Sequence, residues 1–175
     1  MDRKTLTIIG DGFVGKSSIV QCFKKKSVCE SYRPTIMDTY SLAVKVRGRT
    51  RHLLIWDTSG QEDWAHLRKL AYPEALAIII VFDISDRNTL DNVFLQWYPE
   101  VSDYCPHVPL ILVGNKKDLR RGKGDYVEYA EGSAMAKRIG AQEYLECSVK
   151  TGDGVEELLQ KANVIIFKRC FSVCW

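Results

Sequence analysis

The chain has 175 residues, with 46% hydrophobic residues, 27% charged residues and a formal net charge of +3. That length suits one globular domain with a sizeable core, and so mild a positive charge gives no argument for nucleic acid as a partner. Six cysteines form neither a CxxC pair nor a zinc-type Cys/His cluster, so a reducing compartment is expected.

The opening "MDRKTLTIIGD" enters a strand at once, unlike a signal peptide, and no apolar run reaches the roughly 18 residues of a membrane span. "LTIIG" (6–10) reads as a strand leading into a glycine loop, and a helix is expected from Lys16 to about Lys26. "SLAVKV" (41–46) and "RHLLIWD" (51–57) flank Arg47-Gly48-Arg49-Thr50 and read as a hairpin with a glycine-containing turn. "LAIIIVFD" (76–83) and "PLILVGN" (109–115) are apolar enough for strands buried on both faces, and "EYLECS" (143–148) is a shorter one. Helical patterns fill the gaps at about 88–103, 127–138 and 154–168. In the last, Val155, Leu158, Leu159, Ala162 and Ile166 recur at helical spacing. Cys22 and Cys147 sit in apolar patterns and read as inert core thiols. The lysines and arginines at 24–26 and 120–123 read as solvated surface. The expected architecture is an α/β domain over residues 1–168, followed by a tail at 169–175. Its sheet should be six-stranded and mostly parallel, with one antiparallel edge hairpin strand and helices on both faces.

Gly10-x-x-x-x-Gly15-Lys16-Ser17 matches the phosphate-loop pattern in the strand-to-helix context that pattern requires. Its glycines let the main chain approach phosphates, whose charge then meets successive N–H groups and the helix N-terminus. The stretch Gly12, Phe13, Val14, Gly15, Lys16, Ser17 and Ser18 is the expected wrapping. In it Lys16 neutralises β- and γ-phosphate oxygens and Ser17 offers a hydroxyl to Mg²⁺.

"GNKKD" (114–118) chooses the base. It follows a buried strand at the edge where open α/β sheets take ligands. The Asp118 carboxylate can accept from guanine N1–H and the 2-amino group, a donor pair adenine lacks. Sites of this kind reject the wrong partner by about 10⁴–10⁵. Asn115 and Lys116 complete the segment. In "WDTSGQE" (56–62), Asp57 can hold the Mg²⁺ shell through water, Gly60 can aim its N–H at a γ-phosphate, and Gln61 can orient an attacking water. In "YRPTIMDTY" (32–40), Thr35 can complete the metal shell when a γ-phosphate is present.

These segments, in this order, resemble the small GTPases of the Ras superfamily over essentially the whole chain, with a P-loop NTPase G domain. "WDTSGQEDW", "WYPEV" (97–101) and "GSAMAKRIGA" (132–141) resemble its Rho/Rac branch. The resemblance implies a Mg²⁺·GTP/GDP switch with Gln61, Lys16, Thr35 and Gly60 as catalytic residues. Two loops, around Thr35 and around Gly60 and Gln61, would be held by the γ-phosphate. It implies effectors that read residues 32–40, a GTPase-activating protein and an exchange factor. It implies no nucleic acid, and a monomer. Ser148-Val149-Lys150 matches the family's S-A-K segment, with the Val149 N–H toward the guanine carbonyl and Lys150 near the base. No arginine finger in cis is evident, so fast hydrolysis should need one supplied in trans.

Departures from the pattern carry their own expectations. The Rho insert between the Asp118 and Ser148 motifs is missing or nearly so. Val28 stands where the family places a phenylalanine against the guanine edge, which predicts fast nucleotide exchange. Phe13 replaces a small residue, and its ring should point out of the cradle. Asp38 and Tyr40 match the effector segment, with Met37 in place of an aromatic. Ser59 replaces a usual alanine beside Gly60. In "FKRCFSVCW" (167–175) a serine, Ser172, stands fourth from the end, so the prenylation box is absent. The tail resembles those of atypical Rho proteins of the Wrch/Chp type. There Cys170 and Cys174 would be palmitoylated, holding the protein at the cytoplasmic face of the plasma membrane or endomembranes. The rival reading is a GTP-binding signalling scaffold that does not hydrolyse. Gln61 and Gly12 argue against it, while Ser59 and Phe13 leave it open.

Overall fold

The computed structural model describes residues 4–24, 35–121 and 124–169. Val28, Tyr32, Cys170 and Cys174, on which expectations above were placed, lie outside them.

Six strands form one sheet in the order β2-β3-β1-β4-β5-β6. They are β1 (Lys4–Gly10), β2 (Met37–Val46), β3 (Arg49–Thr58), β4 (Ala77–Asp83), β5 (Leu110–Asn115) and β6 (Glu143–Glu146). Only the β2–β3 pairing is antiparallel; β1 pairs in parallel with β3 and with β4, and β5 with β4 and β6. The expected mixed sheet is therefore present. The centre of the sheet is buried on both faces: β4 and β5 are apolar up to their last residue, β1 sets the buried Thr5 and Thr7 among its apolar residues, and side chains sort by alternation. Ile79 and Val81 join Leu6, Ile8, Ile111 and Val113 under α1 (Lys16–Phe23) and α6 (Val155–Arg169). Ile78, Ile80 and Phe82 join Ile9 and Leu112 on the opposite face, under the helix spanning 87–104 and α5 (Tyr129–Arg138).

The hairpin turn is tighter than the four residues read from sequence. Arg47 and Gly48 alone make it, at φ 50° and 75°. Two successive positive-φ residues match the right-handed twist of the flanking strands, so Arg49 and Thr50 pair with Val46 and Lys45 instead of turning. β6 ends at Glu146, leaving Ser148 in a loop. α5 begins at Tyr129, two residues later than expected. Glu128 caps it in a reciprocal box with Glu131, which ties up N–H groups the helix start would otherwise leave unpaired.

Residues 62–71 form a run of short helical turns around α2 (Ala65–Arg68). The hydrophobic pattern gave no sign of it, since Arg68 supplies its buried anchor. The helix spanning 87–104 consists of α3 (Arg87–Asn92), a π-helical segment (Val93–Trp97) and α4 (Tyr98–Tyr104).

The short connection after β5 is held by two arginines. Arg120 makes paired hydrogen bonds to Glu146, both 2.8 Å, and Arg87 bridges Asp125 at 2.5 Å and Glu131 at 2.6 Å. Among the described residues, no helix is long and apolar enough to cross a membrane.

Candidate functional site

The chain leaves β1 toward β3 on one side and β4 on the other, so the sheet's switch point lies at the C-terminal end of β1, where such sheets open a crevice. The loop from Gly10 to Gly15 fills that place. Gly10 needs its missing side chain, because at φ 139° a Cβ would collide with the Val81 carbonyl. Gly15, at φ 97°, hands the chain to α1, which starts with neither a side-chain cap nor an acidic residue in its first turn. Its first N–H groups therefore lack side-chain partners at the end that attracts anions.

Lys16 lies across this loop. Its Nζ donates to the carbonyls of Gly10 at 2.8 Å and Asp11 at 2.6 Å. Burial lowers its pKa to about 8, against the opposing pull of Asp57 and Asp11.

Ser17 Oγ lies 2.8 Å from Thr35 Oγ1, across 18 residues of sequence. Behind them Asp57 is wholly buried near the end of β3, and neither carboxylate oxygen has a hydrogen-bond partner. Burial pushes its pKa up to about 6, while the nearby Ser17 hydroxyl and the Lys16 ammonium pull it down. A buried carboxylate without a donor is costly unless a cation or water answers it. Two hydroxyls 2.8 Å apart also match the edge of an oxygen octahedron around Mg²⁺, about 2.9 Å for metal–oxygen distances of ~2.05 Å. These residues fit a hard divalent cation that takes its remaining ligands from phosphate and water.

The loops after β5 and β6 are tied to the Gly10–Gly15 loop. Asn115 Nδ2 donates to the Val14 carbonyl at 2.8 Å, and its Oδ1 accepts the Val149 N–H at 3.4 Å. Asp118 Oδ1 accepts from Ser148 Oγ at 2.6 Å, and that hydroxyl accepts the Thr151 N–H at 3.2 Å. Lys116 adopts a left-handed conformation at φ 64° and pairs with Asp83 at 2.6 Å. Ser148 is fully buried, whereas Lys150 is exposed.

The Gly10–Gly15 loop, the corner of Ser17, Thr35 and Asp57, and the Asn115–Asp118 loop tied to Ser148 thus meet at one end of the sheet. The profile of the Ras family matches residues 5–168. A human protein, the Rho-related GTP-binding protein RhoD, is 41% identical over 167 residues, covering 90% of this chain and 80% of that protein. The chain is a Rho-like member of the Ras family of small GTPases. As such it is a GTPase, and its family implies guanine-nucleotide binding and usually Mg²⁺.

Gln61 of this Rho-like GTPase is exposed, while Gly60 packs tightly on the phosphate loop. A Cβ at Gly60 would come within 2.5 Å of the Gly10 oxygen and the Gly12 nitrogen. Phe13 is 67% exposed, at φ 65°. Its ring points outward, and it holds a conformation that costs a bulky residue energy. Gly12, Ser17 and Ser18 are half-buried.

Several residues of this GTPase's site gave no signal in the motif reading. Asp11 accepts from Trp97 Nε1 at 2.6 Å and from Asn92 Nδ2 at 2.7 Å. Arg68, with 1% of its side chain exposed, pairs with Glu100 through two bonds of 2.8 and 2.9 Å. Its guanidinium lies 4.7 Å from the Trp97 ring centre. Burial holds the Tyr72 hydroxyl far above its ordinary pKa, and that hydroxyl donates to Glu100. "WYPEV" was read only as a resemblance; a charged Glu100 three residues after a tryptophan was the available hint.

Proposed function

We propose that this GTPase is a Mg²⁺-dependent GTP/GDP switch with slow intrinsic hydrolysis and fast nucleotide exchange, signalling to effectors in cytoskeletal, polarity or morphology pathways. The observation that carries this reading is the buried, partnerless Asp57 carboxylate beside the Ser17–Thr35 hydroxyl pair. In the bound state, Ser17, Thr35 and, through water, Asp57 would hold the metal, which screens phosphate charge. Lys16 and the main-chain amides of residues 12–18 would bind phosphate. Gln61 would orient water, with Gly60 contacting the γ-phosphate. Asn115, Lys116, Asp118, Ser148, Val149 and Lys150 would surround the guanine. Thr35 can join the metal shell only while a γ-phosphate completes it, so loss of that phosphate frees the segment effectors read.

Fast exchange rests on Val28 and Phe13. An aromatic–base contact is worth about 1–3 kcal/mol in other sites, so its loss corresponds to roughly ten- to a hundredfold in the off-rate. Partners follow the family: effectors through 32–40, a GTPase-activating protein and an exchange factor. Acylation of Cys170 and Cys174 would place the protein at cytoplasmic membrane faces. Release of fluorescent mant-GDP, with and without Mg²⁺, tests the switch and its kinetics together. Chelation should accelerate release, and Val28→Phe should slow it. Equal slow release from both proteins would remove the fast-exchange reading, and no retained guanine nucleotide would remove the site.

A further inference from the structure

Ser59 is 4% exposed, and its main chain and side chain are all engaged. Its N–H donates to the Ile36 carbonyl at 3.1 Å, one residue after Thr35. Its own carbonyl accepts from Arg68 Nη1 at 2.8 Å. Its hydroxyl accepts the Gln61 N–H at 3.1 Å. The same Arg68 nitrogen reaches the Gln61 carbonyl at 3.4 Å. Gly60, between them, is pressed on the Gly10–Gly12 main chain.

A serine hydroxyl that accepts the N–H two residues ahead closes a local turn. An alanine, the usual residue at this position in the resembling family, keeps the Ile36 and Arg68 bonds because both use main-chain atoms. It cannot make the third. The hydroxyl is thus the one part of this arrangement contributed by the side chain.

We propose that Ser59 is a positioning residue whose hydroxyl, by holding the Gln61 N–H, fixes the turn that sets Gly60 against the phosphate loop. This rests on the reading that the crevice holds guanine nucleotide.

The test is amide exchange at Gln61, followed by ¹⁵N–¹H NMR on full-length protein saturated with GDP or with a non-hydrolysable GTP analogue. Wild type should protect this amide in the GDP state as well as in the triphosphate state. Ser59→Ala should lose protection in the GDP state by about tenfold, as expected for a freed local amide, and lose less in the triphosphate state. Ser59→Thr, which keeps the hydroxyl, should restore it. An alanine variant as protected as wild type with GDP overturns the role of Ser59, and so does wild-type protection confined to the triphosphate state. Mant-GDP titration of the same samples separates the layers. Failure of wild type to bind overturns the nucleotide site itself, while binding with unchanged exchange overturns only the positioning role.

Discussion

The indole N–H of Trp97 donates to the Asp11 carboxylate at 2.6 Å, so a helix packed on one face of the sheet holds the phosphate loop by its second residue. The same tryptophan ring receives the Arg68 guanidinium on its face. Arg68 in turn binds the carbonyls of Ser59 and Gln61. The helix spanning 87–104 therefore anchors both the phosphate loop and the segment after β3.

Replacing Trp97 by Phe keeps most of the ring and removes the donor. Asp11 retains Asn92 at 2.7 Å, so a single charge-assisted bond is lost. We expect about 2 kcal/mol or more off the unfolding free energy, from the lost bond and the void beside a fully buried ring, read from urea denaturation at saturating GDP, with an unchanged m-value.

Glu100→Gln strikes harder. Arg68 has 1% of its side chain exposed and would lose its counter-charge, a change that costs about 3 kcal/mol or more when the survivor stays buried. Denaturation should show that loss. The double variant Arg68→Met with Glu100→Leu should recover part of it, because no unpaired charge remains. Recovery stays incomplete, since the Ser59 and Gln61 carbonyls lose their donor.

The Cys105 thiol is pushed up to about 11 from 9.0, first by burial and then by the Glu100 charge. The folded state therefore keeps this proton where the unfolded chain has released it. Stability is fully present below pH 9 and falls between about pH 9 and 11, by about 1.4 kcal/mol per unit at most from this group. Burial raises Cys147 in the same direction, to about 12. Cys105→Ala should flatten the alkaline limb of a stability–pH profile measured at constant nucleotide saturation, and an unchanged limb would contradict it.

Phe13 holds φ 65° in the left-handed region. A β-branched residue tolerates that conformation worse than an unbranched one, and glycine tolerates it freely. Phe13→Val should lower the melting temperature of the GDP-bound protein, by about 1 kcal/mol or more at the midpoint. Phe13→Gly should leave it near wild type. Differential scanning calorimetry distinguishes the two.

The sheet was legible because β4 and β5 are nearly unbroken apolar runs, and the Gly10–Ser17 and 114–118 loops because glycine, lysine and aspartate stand at spacings few other uses require. The two-residue turn at Arg47 was misjudged because an arginine at positive φ gives no local sign. The run at 62–71 was missed because its anchor is a buried arginine, which any pattern rule counts as surface. Asp11 carries its partners 81 and 86 residues away, and no local window joins such distances. Ser59 was noticed as a departure, but its contact with Gln61 depends on a loop shape that only the fold supplies.

Gly15 and Asn115 compete for one space. A methyl at the glycine would strike the asparagine amide, which already donates to the neighbouring Val14 carbonyl at 2.8 Å. In the proposed site, the two ends of the nucleotide would therefore meet a common partition. A nucleoside and a pyrophosphate offered separately would each stiffen the wall the other must touch, so the intact molecule gains more than its halves do alone. By the same logic, altering base choice at Asn115 would change the grip on phosphate.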